Sequence, residues 1–238
     1  MARTTRRKLE TFAGSDRPTF PEHDETGRLK IERHLAQDFG VESAGLVETS
    51  DPNRLYFLQQ HYGMPTRLLD WTTNALAALF FAVRDKDKLD RDGAVFFMDA
   101  YQLAVTQKTK PEGISTTHKW FNDSVRRISE WRDDLQFPKA IMPVRPTHAD
   151  QRIGLQRSCF TFHVPDHPNL TSGENDSLLA FRIPSVAKTN ILNDLVLLGL
   201  DEFSIFGDLD HLALRLRRAY RIPWSEHQSP PCRSTDLL

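Results

Sequence analysis

The stretch QQHYGMPTRLLDWTTNALAALFFAV, residues 59–83, decides the reading of this chain. Its first half places His61, Tyr62, Thr66, Arg67, Asp70 and Trp71 within eleven residues, an unusual density of polar and aromatic groups. In its second half Leu76, Leu79, Phe80 and Val83 fall at i, i+3, i+4 and i+7, with alanines between them that allow close packing. The spacing predicts a buried helix, with Asp70 or Thr72 as its cap. The polar half is then a loop leading into a rigid element: Gly63 permits a backbone turn closed to other residues, and Pro65 restricts Met64. Such a junction favours an anion, because the first N–H groups of a helix are unpaired, so a phosphate-containing ligand such as a nucleotide is the expected guest.

Each side chain of the loop has a chemistry of its own. His61 exchanges protons near neutral pH, Tyr62 offers a flat face with a hydroxyl, and Arg67 presents a fork of donors matched to carboxylate or phosphate. Asp70 either holds that guanidinium or caps the following helix. A purely structural account of the same residues pairs Arg67 with Asp70, places Trp71 in the core and satisfies a buried carbonyl with His61. Two weaker groups lie further on. Gln156, in RIGLQRSCFTFH, has the donors and acceptor to position a ribose or substrate hydroxyl. Asp208, Asp210 and His211 suggest a metal, but Asp208 at a helix start is more economically a cap, and no metal is expected. GxGxxG, Walker A, HExxH and GxSxG signatures are missing from the sequence.

Working outward, Leu29, Ile31, Leu35 and Phe39 predict a helix ending at Gly40, and Asn53 to Gln60 a second one. Asp92-Gly93 marks a turn before the strand AVFFMDA. Trp120, Val125, Ile128, Trp131 and Leu135 predict an amphipathic helix over 120–135. SCFTFHV alternates as a strand does, SLLAFRIP repeats the signal, Ser185 caps VAKTNILNDLVLLGL, and DLDHLALRLRRAY closes the pattern as a helix. Residues 1–28 read as irregular, 29–224 as a single compact α+β domain with a small mixed or antiparallel sheet flanked by helices, and 225–238 as a flexible tail.

Composition bounds the function classes. The 238 residues are 39% hydrophobic with 15 Phe, enough for a substantial core, and a formal net charge of -1 gives no global attraction to nucleic acid or anionic membrane. Cys159 and Cys232 alone rule out a disulfide framework or a four-thiolate zinc site. The basic opening MARTTRRKLETF lacks a secretory apolar run and no segment approaches a membrane span, so a cytoplasmic protein without membrane partners is expected.

Residues 59–83 closely resemble the core signature of the FRG domain, a family named for a Phe/Tyr-Arg-Gly motif near its N-terminus. QRIGLQRSCFTFH, LLAFRIP and LGLDEFSIFGDLDHLA follow in the family's order, so the resemblance runs from about Leu29 to Tyr220. Two departures stand out. No Phe/Tyr-Arg-Gly triplet occurs, although Arg6 and Arg7 lie nearby, and Gly207 stands where Pro is expected. The pattern is similar in outline to the NAD-binding half of ADP-ribosyltransferases, which hold the dinucleotide by an Arg or His and stack nicotinamide on an aromatic ring. That resemblance implies NAD as cofactor, with His61 or Arg67 at ribose or pyrophosphate and Tyr62 or Trp71 against nicotinamide. Thr66 and Asp70 join the binding set, and Gln156 steadies the developing oxocarbenium ion. It implies a toxin or antiphage effector acting on a protein or nucleic-acid acceptor. A non-catalytic module binding a ligand or partner, and a metal-dependent nuclease built on Asp208, Asp210 and His211, are the alternatives.

Overall fold

A computed structural model describes residues 10–12, 24–107, 118–146, 151–164, 169–171 and 177–221. The fold is α+β. Among the described residues the helices are α1 (Glu25–Ser43), α2 (Pro52–His61), α3 (Ala75–Val83), α4 (Ala100–Thr106), α5 (Lys119–Ser129), α6 (Gln151–Leu155), α7 (Lys188–Leu197), α8 (Glu202–Phe206) and α9 (Leu209–Ala219). The strands are β1 (Glu10–Phe12), β2 (Leu68–Thr72), β3 (Gly93–Met98), β4 (Met142–Val144), β5 (Ser158–Phe162), β6 (Asn169–Thr171) and β7 (Leu178–Ile183). They form three small sheets: β1-β6, β2-β5-β4 and β3-β7. Both β1-β6 and β4-β5 are antiparallel.

The chain divides into two compact units, residues 1–70, 96–147 and 160–180 in the first and 71–95, 148–159 and 181–238 in the second. The first is built on aromatic packing. The β4-β5 register sets Met142 opposite Phe162 and Val144 opposite Phe160, all four buried. Phe57 of α2 stacks on Phe121 of α5 with centroids 5.5 Å apart and meets Phe160 at 5.1 Å. Phe162, fully buried, is surrounded by Tyr56, Trp120, Phe121 and Phe137. Rings of this size bury the most apolar area per residue, so this cluster dominates the stability of the unit.

In the second unit two residues of the stripe expected on α3, Phe80 and Val83, are in the core with Ala77 and pack with Leu195 of α7 and with Ile205 and Phe206 of α8, whereas Leu79 is only partly buried and Leu76 is 42% exposed. The guanidinium groups of Arg84 and Arg152 lie 4.7 and 4.5 Å from the Phe206 ring. Gly207 ends α8 at φ +69°, in the left-handed region. Proline is locked near -65° and could not stand there, so the departure from the expected Pro has a local backbone cause.

Several boundaries differ from the sequence expectations. α1 starts at Glu25, because the Asp24 side chain caps the Gly27 N–H, and it runs through Gly40 to Ser43. Residues 10–12, read as irregular, form a strand against β6. The 120–135 helix stops at Ser129, and Trp131 takes a positive φ of 56°. Ser185 does not cap a helix through its side chain; it opens a 3-10 turn, Ser185–Ala187, ahead of α7. The assigned tail, 225–238, and Cys232 lie outside the described residues.

Candidate functional site

The polar half of the opening stretch is not one long loop. Asp51 caps α2 by accepting from the Asn53 N–H, and Pro52 occupies the first turn, where a missing N–H costs nothing. α2 carries His61 at its end, and Gly63 turns the chain at φ +77° while the Met64 N–H donates to the Gln59 carbonyl. The chain then enters β2 at Leu68. Asp70 therefore sits in a strand and is not the cap of α3. The α3 cap is Asn74, whose side chain accepts from the Leu76 N–H.

Arg67 is the pivot. Its guanidinium does not meet Asp70; Nε and Nη2 donate to Glu32 Oε2 at 3.0 and 2.7 Å, and Nη2 also donates to Glu25 Oε1 at 2.6 Å. The Phe137 ring lies 4.6 Å below it. Arg67 is 3% exposed and Glu32 4%, so this pair lies out of water. Burial alone would lower the pKa of the guanidinium, but Glu32 and then Glu25 hold it above its ordinary value, and Arg67 is charged at every accessible pH. The backbone of the same residue is equally committed. Its N–H donates to the Tyr56 hydroxyl at 2.9 Å and its carbonyl accepts from the His163 N–H at 2.8 Å. Burial, then the nearby Glu32 charge, pushes the Tyr56 phenol well above its usual pKa, so it stays protonated.

A second chain of bonds crosses the turn. The Thr66 hydroxyl accepts from the Leu68 N–H and donates to Gln60 Oε1, and the Gln60 amide donates to Asp70. Thr66 is buried, whereas Asp70 is exposed. His61 is half-buried with its ring edge-on to Tyr62 at 4.9 Å, and Tyr62 is 58% exposed. His61, Tyr62, Thr66, Arg67 and Asp70 thus belong to the first unit, while Trp71 and Gln156 belong to the second. Both of the latter are half-buried. The Gln156 carbonyl accepts from the Thr72 hydroxyl at 2.6 Å, and its side-chain amide nitrogen is buried with no hydrogen-bond partner among the described residues.

Residues 25, 32 and 56 were not singled out from sequence. A signal existed: Glu25 and Glu32 are seven apart, hence on one face of α1, and Glu32 shares that face with Leu29 and Ala36. A carboxylate within an apolar stripe calls for a buried partner.

An open groove of about 310 Å³ is lined by Ala36, Gln37, Gly40 and Val41 of α1, Pro52, Leu55, Tyr56 and Gln59 of α2, and Ser129 and Glu130. None of its lining residues comes from 61–71. The acidic group near the C-terminus behaves as a cap: Asp208 accepts from the His211 N–H at 2.9 Å and from its Nδ1 at 2.7 Å. Among the described residues no group of three His, Cys, Asp or Glu side chains stands close enough to hold a metal ion.

The FRG domain family model matches residues 3–91, a span that contains Glu25, Glu32, Tyr56 and the whole Arg67 turn. Over that span the chain is similar to the FRG domain. The match reaches nearer the N-terminus than the sequence resemblance did and stops short of Gln156 and Asp208. No curated protein and no solved structure matches the chain. Among the described residues no helix is long and apolar enough to cross a membrane.

Proposed function

We propose that this FRG domain is a ligand-binding module in which the Arg67 turn is a structural keystone. One observation carries the reading: the Nε and Nη2 donors of Arg67 are directed into Glu32 and Glu25, and the residue is 3% exposed. A guanidinium held by two carboxylates has little residual attraction for an anion, and releasing it would leave Glu32 buried and uncompensated. The turn then serves to lock α1, α2 and β2 together, and binding falls to the surfaces they create.

An NAD-dependent ADP-ribosyltransferase remains the second reading, favoured by the exposed Tyr62 with His61 beside it. In that reading Tyr62 stacks on nicotinamide and His61 reaches ribose, while Arg67 supports the turn from below without touching the dinucleotide. An effector role, as toxin or in antiphage defence, belongs to either reading.

The test is incubation of the purified protein with labelled NAD and protein, RNA and DNA acceptors, alongside Tyr62→Ala. The module reading expects neither nicotinamide release nor label transfer. Turnover by the wild type that disappears in a Tyr62→Ala variant of unchanged melting temperature would instead establish the enzyme.

A further inference from the structure

Arg33, Arg67 and Arg127 are all held within the first unit. Arg33 donates to Asp133 at 2.6 Å and to the Arg127 carbonyl, Arg67 to Glu32 and Glu25, and Arg127 to the carbonyls of Asp133 and Leu135. Arg54 of α2 is different. It is half-buried, its Nε is shut off from water without a hydrogen-bond partner, and its guanidinium enters no ion pair among the described residues.

The acid nearest to it in sequence does not compensate it. Asp51, three residues earlier, spends its carboxylate on the Asn53 N–H at 3.0 Å as the cap of α2. A half-buried cation with an unfilled donor is unfavourable unless something completes it, and its charge fixes what that is: an anion. Phosphate, expected at Arg67 from the sequence, finds the Nε and Nη2 donors of that residue taken and those of Arg54 open.

The rest of the face narrows the ligand. Leu58 and His61 follow Arg54 at i+4 and i+7, so the three share one side of α2 over two turns, about 10 Å of helix. None of them lines the groove between α1 and α2. Leu58 keeps the middle of the row apolar, and His61 ends it with its ring against Tyr62, which is 58% exposed. A cation at one end and an open aromatic ring two turns away match a ligand that is anionic at one end and flat at the other.

We propose that the Arg54 to His61 face of α2 binds a nucleoside monophosphate, with the phosphate on Arg54 and the base against Tyr62. The Arg54 guanidinium has no bond to break, so it is free to turn its Nε and Nη2 edge onto two phosphate oxygens. The assignment rests on the reading of the domain as a binding module and names its ligand class.

The test is calorimetric titration of the full chain with AMP, adenosine and inorganic phosphate, comparing wild type, Arg54→Gln and Tyr62→Ala. Adenosine and inorganic phosphate each lack one of the two anchors, so each should bind about tenfold or more weakly than AMP. Arg54→Gln should lose about that factor for AMP, leave adenosine unchanged and keep or raise the melting temperature, because it removes an unfilled donor and a charge without breaking a bond. Tyr62→Ala should weaken AMP and adenosine and leave inorganic phosphate unchanged. Absence of AMP binding at millimolar concentration, AMP no tighter than adenosine, or AMP binding unchanged in Arg54→Gln would overturn the proposal. Equal binding of AMP and inorganic phosphate would overturn the nucleotide and leave a bare anion, and a melting temperature several degrees lower in Arg54→Gln would make Arg54 a structural anchor instead. NAD turnover would overturn the module reading and leave the AMP result to be judged by itself; no turnover and no AMP binding would remove the Arg54 site alone.

Discussion

Arg67 concentrates in one residue the tension between charge and burial. Desolvating a carboxylate and a guanidinium costs several kcal/mol per ion, recovered only where geometry is close and remaining donors are filled. Here Nε and Nη2 converge on a single oxygen of Glu32, Glu25 closes the outer side, and the Phe137 ring covers the face. Removing one partner should therefore hurt far more than removing both. Arg67→Met leaves Glu32 buried and uncompensated and should cost about 3–5 kcal/mol, read as a lower urea midpoint at unchanged slope. Adding Glu32→Leu should recover most of that loss. A double variant as unstable as Arg67→Met would mean that Arg67 acts through Glu25 or through its ring contact instead. The presence of a cluster was legible in the sequence, because so many polar groups stand in eleven residues. Its wiring was not, since Glu25 and Glu32 lie 42 and 35 positions upstream and nothing local marks the pairing. Proximity in sequence suggested Asp70, but β2 carries Asp70 away to the Gln60 amide.

At the scale of elements, legibility follows length and period. α3 and α9 were readable because nine and eleven residues give a full apolar stripe or a clear cap, and the Asp208 cap is where the sequence placed it. β3, β5 and β7 stood out through aromatic and alternating runs. Five-residue α6 and α8 and three-residue β4 are too short for a period to develop, and β2 is concealed by Asp70 and Trp71, which read as loop chemistry. What fixes the end of α8 is a backbone requirement. Gly207 holds φ at +69°, and a Cβ there would stand 2.4 Å from Leu155 Cδ1. Gly207→Ala should cost about 1–2 kcal/mol from the left-handed conformation alone, with a further contribution if Leu155 cannot shift. Thermal melting measures this directly. A neutral substitution would mean that the α8 to α9 junction relaxes to negative φ.

For the molecule as a whole, charge decides which partners are reachable. The 31 basic and 32 acidic side chains balance to -1, so long-range attraction to a polyanion is absent and any nucleic-acid contact needs a local basic surface. RLRRAYR, residues 215–221 at the end of α9, is the most basic run there. Two of its four arginines are engaged within the second unit: Arg218 donates to Glu202 at 2.6 Å, and Arg215 lies over the Phe203 ring at 4.3 Å with Asp201 at 3.9 Å. A helix face neutralised in this way releases few counterions, and counterion release supplies most of non-specific affinity. Fluorescence anisotropy with a labelled 20-base-pair duplex at 150 mM salt should accordingly detect no binding tighter than about 100 µM, the weak limit of non-specific association. Affinity in the low micromolar range, falling steeply as salt is raised, would overturn this and make α9 a phosphate-contacting element. It would also return the nucleic-acid acceptor and the nuclease to contention, because both require the substrate to be held before any chemistry.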